Sequence, residues 1–127
     1  MVLANRRLIL AVYVVALFGV TLTPVPAPVS AGMGLDKLVH VGLFAGLAFL
    51  LHWNLDIKSG WIASAVSITL SVAAALMIEG LQDILPYRRS DLRDFAAGVV
   101  GAIIGVAVAA LLLDGKDRLG QRPAKER

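Results

Sequence analysis

Three short groups of residues in this chain have the types and spacing that chemistry needs. The first is Asp36-Lys37-x-x-His40 and the second is Glu79-x-x-Gln82. The third runs from Arg88 and Arg89 through Asp91 to Arg93 and Asp94. A histidine with two carboxylates suits general acid–base work or a His-plus-carboxylate metal site. Adjacent arginines suit a phosphate or a carboxylate, because a guanidinium forks onto both. Each residue also has a plainer reading. Asp36, Lys37, Asp83 and Asp91 are interfacial anchors if they lie near helix ends, where side chains snorkel. Glu79 and Asp94 hold the fold if each is ion-paired with Arg88, Arg89 or Arg93. His40 is then a hydrogen-bonded packing histidine. His52, beside Trp53, is taken as an interfacial residue outside the site.

Other chemistries are excluded. The chain has no cysteine, which removes disulfides, thiolate catalysis and Cys-based zinc sites. It has no serine nucleophile with a neighbouring histidine, no paired histidines at metal spacing and no phosphate-binding glycine loop. No cofactor and no resident metal is therefore expected.

The elements that must position these groups are membrane helices. Of 127 residues, 58% are hydrophobic and only 17% charged, with a mean hydropathy of +0.81; a soluble domain is about half apolar. A transmembrane helix takes about 20 mostly apolar residues. Four segments qualify, at about 8–25, 35–53, 61–85 and 92–113. The predicted fold class is all-α: an integral membrane bundle of four transmembrane helices in one domain over residues 1–127. Pro24, Pro26 and Pro28 end the first helix, and Trp53 and Trp61 resemble an interfacial aromatic belt.

Basic residues set the orientation. With four spans both termini share a side. That side carries Arg6, Arg7, Lys58 and five cations of the tail, and the other carries Lys37, Arg88, Arg89 and Arg93. The positive-inside rule then places both termini in the cytoplasm. The basic tail, 114–127, is a cytoplasmic flank rather than a nucleic-acid arm, and no nucleic-acid partner is expected. The expected location is the bacterial cytoplasmic (inner) membrane. A competing reading takes the first apolar run and Val29-Ser30-Ala31 as a signal peptide with its cleavage site, although that run exceeds the usual signal core.

Antiparallel helices bring the three polar groups to one depth on the outward side. Asp36 and His40 share a helical face, as do Glu79 and Gln82. Asp94 shares a face with Gly98, Gly101 and Gly105, and Glu79 continues a stripe of Ala63, Ser67, Ser71 and Ala75. Small residues in lipid mark packing faces, so both carboxylates should face the bundle. Gly42 and Gly46 lie roughly opposite His40, which gives the second helix neighbours on both sides or a dimer contact.

In this order, Asp36-Lys37-x-x-His40, Glu79-x-x-Gln82, Arg88 followed by Asp94, and Gly101 with Gly105 resemble the VanZ-like family of small bacterial membrane proteins. The resemblance covers roughly Asp36 to Gly105. It implies a cell-envelope role, linked in that family to resistance toward the glycopeptide teicoplanin, and supplies no reaction. Family members often carry Asn where this chain has Gly98. The functional cluster expected from residues and resemblance together is His40, Glu79, Gln82, Arg88 and Asp94, with Asp36, Lys37, Arg89 and Asp91 at its periphery. Its expected partners are membrane lipids and an envelope lipid, cell-wall precursor or glycopeptide, with a homo-oligomer allowed. The alternative is a membrane-embedded hydrolase or transferase using the His/Glu/Asp/Arg site. A transporter is disfavoured because the polar cluster lies at one face rather than through the bilayer.

Overall fold

The computed structural model describes residues 2–24, 34–87 and 91–115. Arg88, Arg89, the Val29–Ala31 stretch and the tail beyond residue 115 lie outside the described residues. Four helices follow one another: α1 (Val2–Leu22), α2 (Leu35–Asn54), α3 (Gly60–Ile84) and α4 (Leu92–Ala109). The chain of α4 continues as a π-helical turn over Ala110–Asp114. No strand occurs among the described residues. All four helices are long and apolar enough to cross a membrane. At about 1.5 Å per residue, a helix of this length spans roughly the 30 Å of a hydrocarbon core.

The helix ends follow local chemistry. Thr23 bends and Pro24 follows, so α1 stops at Leu22. Leu55 turns extended after α2, and Leu85 does so after α3, immediately before Pro86. The start of α1 differs from expectation: it is helical from Val2, six residues before the apolar run begins. A helix that emerges from lipid keeps its backbone bonds, so apolarity marks the buried part of a helix rather than its full length.

The helices alternate in direction. Tyr13 donates its hydroxyl to the Leu43 carbonyl at 2.8 Å, and the Gln82 amide donates to the Thr21 carbonyl at 2.8 Å. The most extensive contact is between α2 and α4, and α1 is peripheral. Glycine makes the central contact. A Cβ placed on Gly101 would collide with the Val41 backbone, and one on Gly105 with the Ala45 backbone. Gly98 lies under the Phe44 ring. On α3 the buried residues are Ala63, Ser67, Ser71, Ala75, Ile78 and Gln82, so the stripe of small residues faces inward as expected. Gly46 of α2 abuts the Tyr13 ring, which identifies α1 as the neighbour on that side. Outward, Val15, Leu76, Val100, Ile103 and Leu111 are exposed. That apolar surface would be unfavourable in water and is solvated by acyl chains in a bilayer.

Candidate functional site at one end of the bundle

The site lies at the end where α1 and α3 finish and α2 and α4 begin. Asp91 caps α4: its Oδ1 accepts from the Arg93 backbone N–H at 2.9 Å. Asp94 falls in the first turn, where the helix dipole favours a carboxylate. It is only 8% exposed because it heads the glycine face that α2 covers. The facing turns of α2 present Asp36, Lys37 and His40. Lys37 Nζ stands 3.9 Å from Asp94 Oδ1, an ion pair longer than a hydrogen bond. One ligand-type atom from each of Asp36, His40 and Asp94 lies within 4.8 Å of the others. Two helices thus assemble a cluster of Asp36, Lys37, His40 and Asp94.

His40 is 4% exposed. Its Nδ1 lies 3.2 Å from the Asp36 carbonyl oxygen. A carbonyl only accepts, so Nδ1 carries the proton and Nε2 of the neutral ring holds a lone pair. That Nε2 is buried without a hydrogen-bond partner, and so is Asp94 Oδ1. The His40 ring stacks on Phe44 with centroids 6.4 Å apart, which fixes its plane. Two buried acceptors without donors are costly to leave alone. The Lys37 ammonium stands beside Asp94 Oδ1 without reaching hydrogen-bond length, so the acceptor left wholly without a donor is His40 Nε2.

The other expected members are placed differently. Glu79 is half-buried, and its Oε2 accepts from the Asp91 N–H at 3.1 Å, tying the end of α3 to the cap of α4. It remains within electrostatic reach of Asp94 and His40. It also borders a shallow apolar groove of about 240 Å³ with Leu76, Leu92 and Phe95. Gln82 is buried on the inward side of α3, and its amide serves the end of α1 rather than the cluster. Arg88 and Arg89 lie outside the described residues. Asp36 and Lys37, expected at the periphery, lie beside His40 and Asp94, with Asp36 exposed at the rim. Helical spacing locates a residue on a face, whereas the depth at which two helices cross decides which residues meet.

The described charged residues at this end are mainly acidic: Asp36, Glu79, Asp83, Asp91 and Asp94 against Lys37 and Arg93. This end suits hydroxyl, amide or ammonium donors. A metal requires more rearrangement. Donors around a tetrahedral ion with about 2.1 Å bonds stand about 3.4 Å apart. The three side chains would have to close in, and Lys37 would have to move off Asp94.

One residue set aside from the sequence is not a simple interfacial side chain. His52 is 5% exposed, and its Nε2 lies 3.3 Å from Asp114 Oδ1 at the opposite end of the bundle. Asp114 reaches it from the π-helical turn. The available signal was that α2 and the fourth span end on the same side, with His52 in the last turn of one and Asp114 just past the expected end of the other.

Four membrane-length helices with polar side chains gathered at their ends define a small multi-pass membrane protein. A family model described as VanZ/LLP1 matches residues 10–113, and the chain belongs to that family. The match reaches all four helices, including α1, which the motifs alone did not cover. No curated protein and no solved structure matches the chain.

Proposed function

We propose that this is a cell-envelope membrane protein whose polar end binds the headgroup of an envelope amphiphile: a lipid, a cell-wall precursor or a glycopeptide. The observation that carries this reading is that His40 Nε2 and Asp94 Oδ1 are buried without a hydrogen-bond donor, at the same end of the bundle as the apolar groove that Glu79 borders. Hydroxyl or amide donors of a headgroup satisfy the acceptors, and an acyl or alkyl segment covers the groove. Arg88 and Arg89 supply the anion-binding half, taking a phosphate or carboxylate of the same molecule. Sequestering or modifying access to such a molecule would give glycopeptide tolerance.

Expression in a teicoplanin-susceptible bacterium tests this. The inhibitory concentration of teicoplanin should rise with the wild-type protein. It should return to the host value with Asp94→Asn and fall back substantially with Glu79→Gln, while both variants remain folded and inserted. Tolerance lost only in proportion to stability would make these residues scaffold. Because Glu79 and Asp94 serve one site, their double variant should lose less than the sum of the singles in free-energy terms.

A second reading draws on the Asp36, His40 and Asp94 ligand atoms, which favour a metal-assisted hydrolase or transferase. Metal analysis of the purified protein separates the two. About one equivalent of a transition metal, lost in His40→Gln, would support the enzyme.

A further inference from the structure

The end of the bundle opposite the site holds a cavity of about 390 Å³ that the proposed function does not use. Its lining includes Arg6 from α1, His52 and Trp53 from α2, Lys58 from the α2–α3 loop, Gly60 from α3 and Asp114 from the π-helical turn. Three α-helices and the π-helical turn that continues α4 contribute. Two buried polar atoms on these lining residues have no partner: Arg6 Nε and His52 Nδ1.

The bonds already made define what is missing. Arg6 Nη1 donates to the Trp53 carbonyl at 2.8 Å, and the guanidinium lies 5.8 Å from the Trp53 ring centroid. These contacts hold the side chain but engage only one of its edges. On the other edge Nε is unpartnered, and Nη2 stands 3.7 Å from Asp56 Oδ1, beyond hydrogen-bond length. The Nε–Nη2 edge is a fork that fits two oxygens of one anion. Asp56 is 66% exposed in its side chain, so it is free to swing away. His52 Nε2 faces the Asp114 carboxylate, which only accepts, so Nε2 carries a proton, and the tautomer with a single proton has it there. Its Nδ1 is then an acceptor awaiting a hydroxyl. The cavity therefore asks for an anion with an O–H beside it. The positive-inside bias accounts for cations at this end. It does not account for a cavity among them with two polar atoms left unsatisfied.

We propose that this cavity binds a phosphate group carrying or adjoining a hydroxyl, held by the Arg6 fork and Lys58, with the hydroxyl donating to His52. Phosphate is favoured over a lone carboxylate because it offers oxygens to two cations and a P–OH or neighbouring alcohol to the histidine. The source is either the headgroup of a phospholipid in that leaflet or a soluble phosphate.

Trp53 stacks on Arg6 and reports occupancy once Trp61, 75% exposed, is changed to phenylalanine. Protein in a non-ionic detergent would be titrated in one arm with dihexanoylphosphatidylglycerol and in the other with inorganic phosphate, following Trp53 fluorescence. Saturation with the lipid alone identifies a headgroup site, with phosphate alone a soluble ligand, and with both a site that reads the phosphate itself. Dihexanoylphosphatidylcholine, which lacks the hydroxyl, should bind more weakly than the phosphatidylglycerol. Arg6→Gln should weaken binding by at least about tenfold, the scale of one charge-assisted hydrogen bond. Lys58→Gln should weaken it about threefold, and Asp56→Asn should tighten it by removing the competing carboxylate. Should Arg6→Gln fail to fold, the exposed Lys58 and Asp56 side chains carry the test. No saturation in either arm, or affinities unchanged in both of those variants, overturns the proposal.

Discussion

Replacing Gly105 with alanine adds one methyl group at the tightest point of the α2–α4 contact. A Cβ there would fall on the Ala45 carbonyl oxygen and come to 2.8 Å from both the carbonyl carbon and Cα of Ala45. All three atoms are backbone, so no rotamer change relieves the clash, and the helices must separate by about 1 Å to restore ordinary contact. A gap of that size forfeits a quarter to a half of each contact of about 0.1–0.2 kcal/mol. Over roughly 30–40 atom pairs along the two helices, the loss is about 1–3 kcal/mol, the range measured for overpacked cores. Gly42→Ala is the control, because a Cβ there meets nothing within 4 Å. It should be neutral or slightly stabilising, since alanine restricts the helix backbone more than glycine does. Unfolding in mixed micelles against rising SDS measures both. Gly101→Leu, facing the Val41 backbone, should cost more than Gly105→Ala. If Gly105→Ala unfolds at the same detergent fraction as Gly42→Ala, close backbone packing does not hold α2 to α4.

Reporter fusions after Gly115 should be active only in a cytoplasm-dependent assay, and a periplasmic signal would reverse the assignment of both ends. Gln82→Leu should lower stability by about 1 kcal/mol by removing a buried bond to α1, yet leave the polar end's function in place; a sharp functional loss at unchanged stability would return Gln82 to the site. A double-mutant cycle of Lys37→Met with Asp94→Asn should show a coupling of about 0.5–1 kcal/mol, and additivity within error would mean that the pair does not interact in solution.

The number of helices, their alternating direction and both small-residue faces were legible because lipid leaves a chain few choices. Backbone groups must be satisfied within each span, and close approach in lipid needs glycine, alanine or serine. The α4 face from Asp94 through Gly98 and Gly101 to Gly105 is buried as its spacing implied. What the pattern could not supply is the relative depth of neighbouring helices. Asp36 and Lys37 sit near the start of α2, where an anchor and a site residue have the same sequence signature; only the crossing with α4 puts them beside Asp94. Gln82 has the correct spacing from Glu79 but turns to α1, because the last turns of α3 touch two different helices. Asp114 is reached through a π-helical turn, and the extra residue that such a turn accommodates shifts the helical phase. Periodicity counted at 3.6 residues per turn through α4 therefore misplaces Asp114.

The α2–α4 pair organises both ends of the molecule by the same device. At one end His40 of α2 lies against Asp94 of α4, and at the other His52 lies against Asp114. Between them the contact is dry and close: Gly101 on Val41, Gly105 on Ala45, and Ala48 packed with Ala102 and Val106. The buried polar side chains in that middle stretch, among the described residues, are Ser67 and Ser71. Ser67 donates its hydroxyl to the Ala63 carbonyl of its own helix. Tyr13, half-buried on α1, donates its hydroxyl to the Leu43 carbonyl. No chain of titratable groups joins the two histidines through the described bundle. The two histidine–carboxylate clusters are therefore separated by the dry α2–α4 contact. The ends remain joined mechanically, because any change that separates α2 from α4 displaces both histidines from both carboxylates.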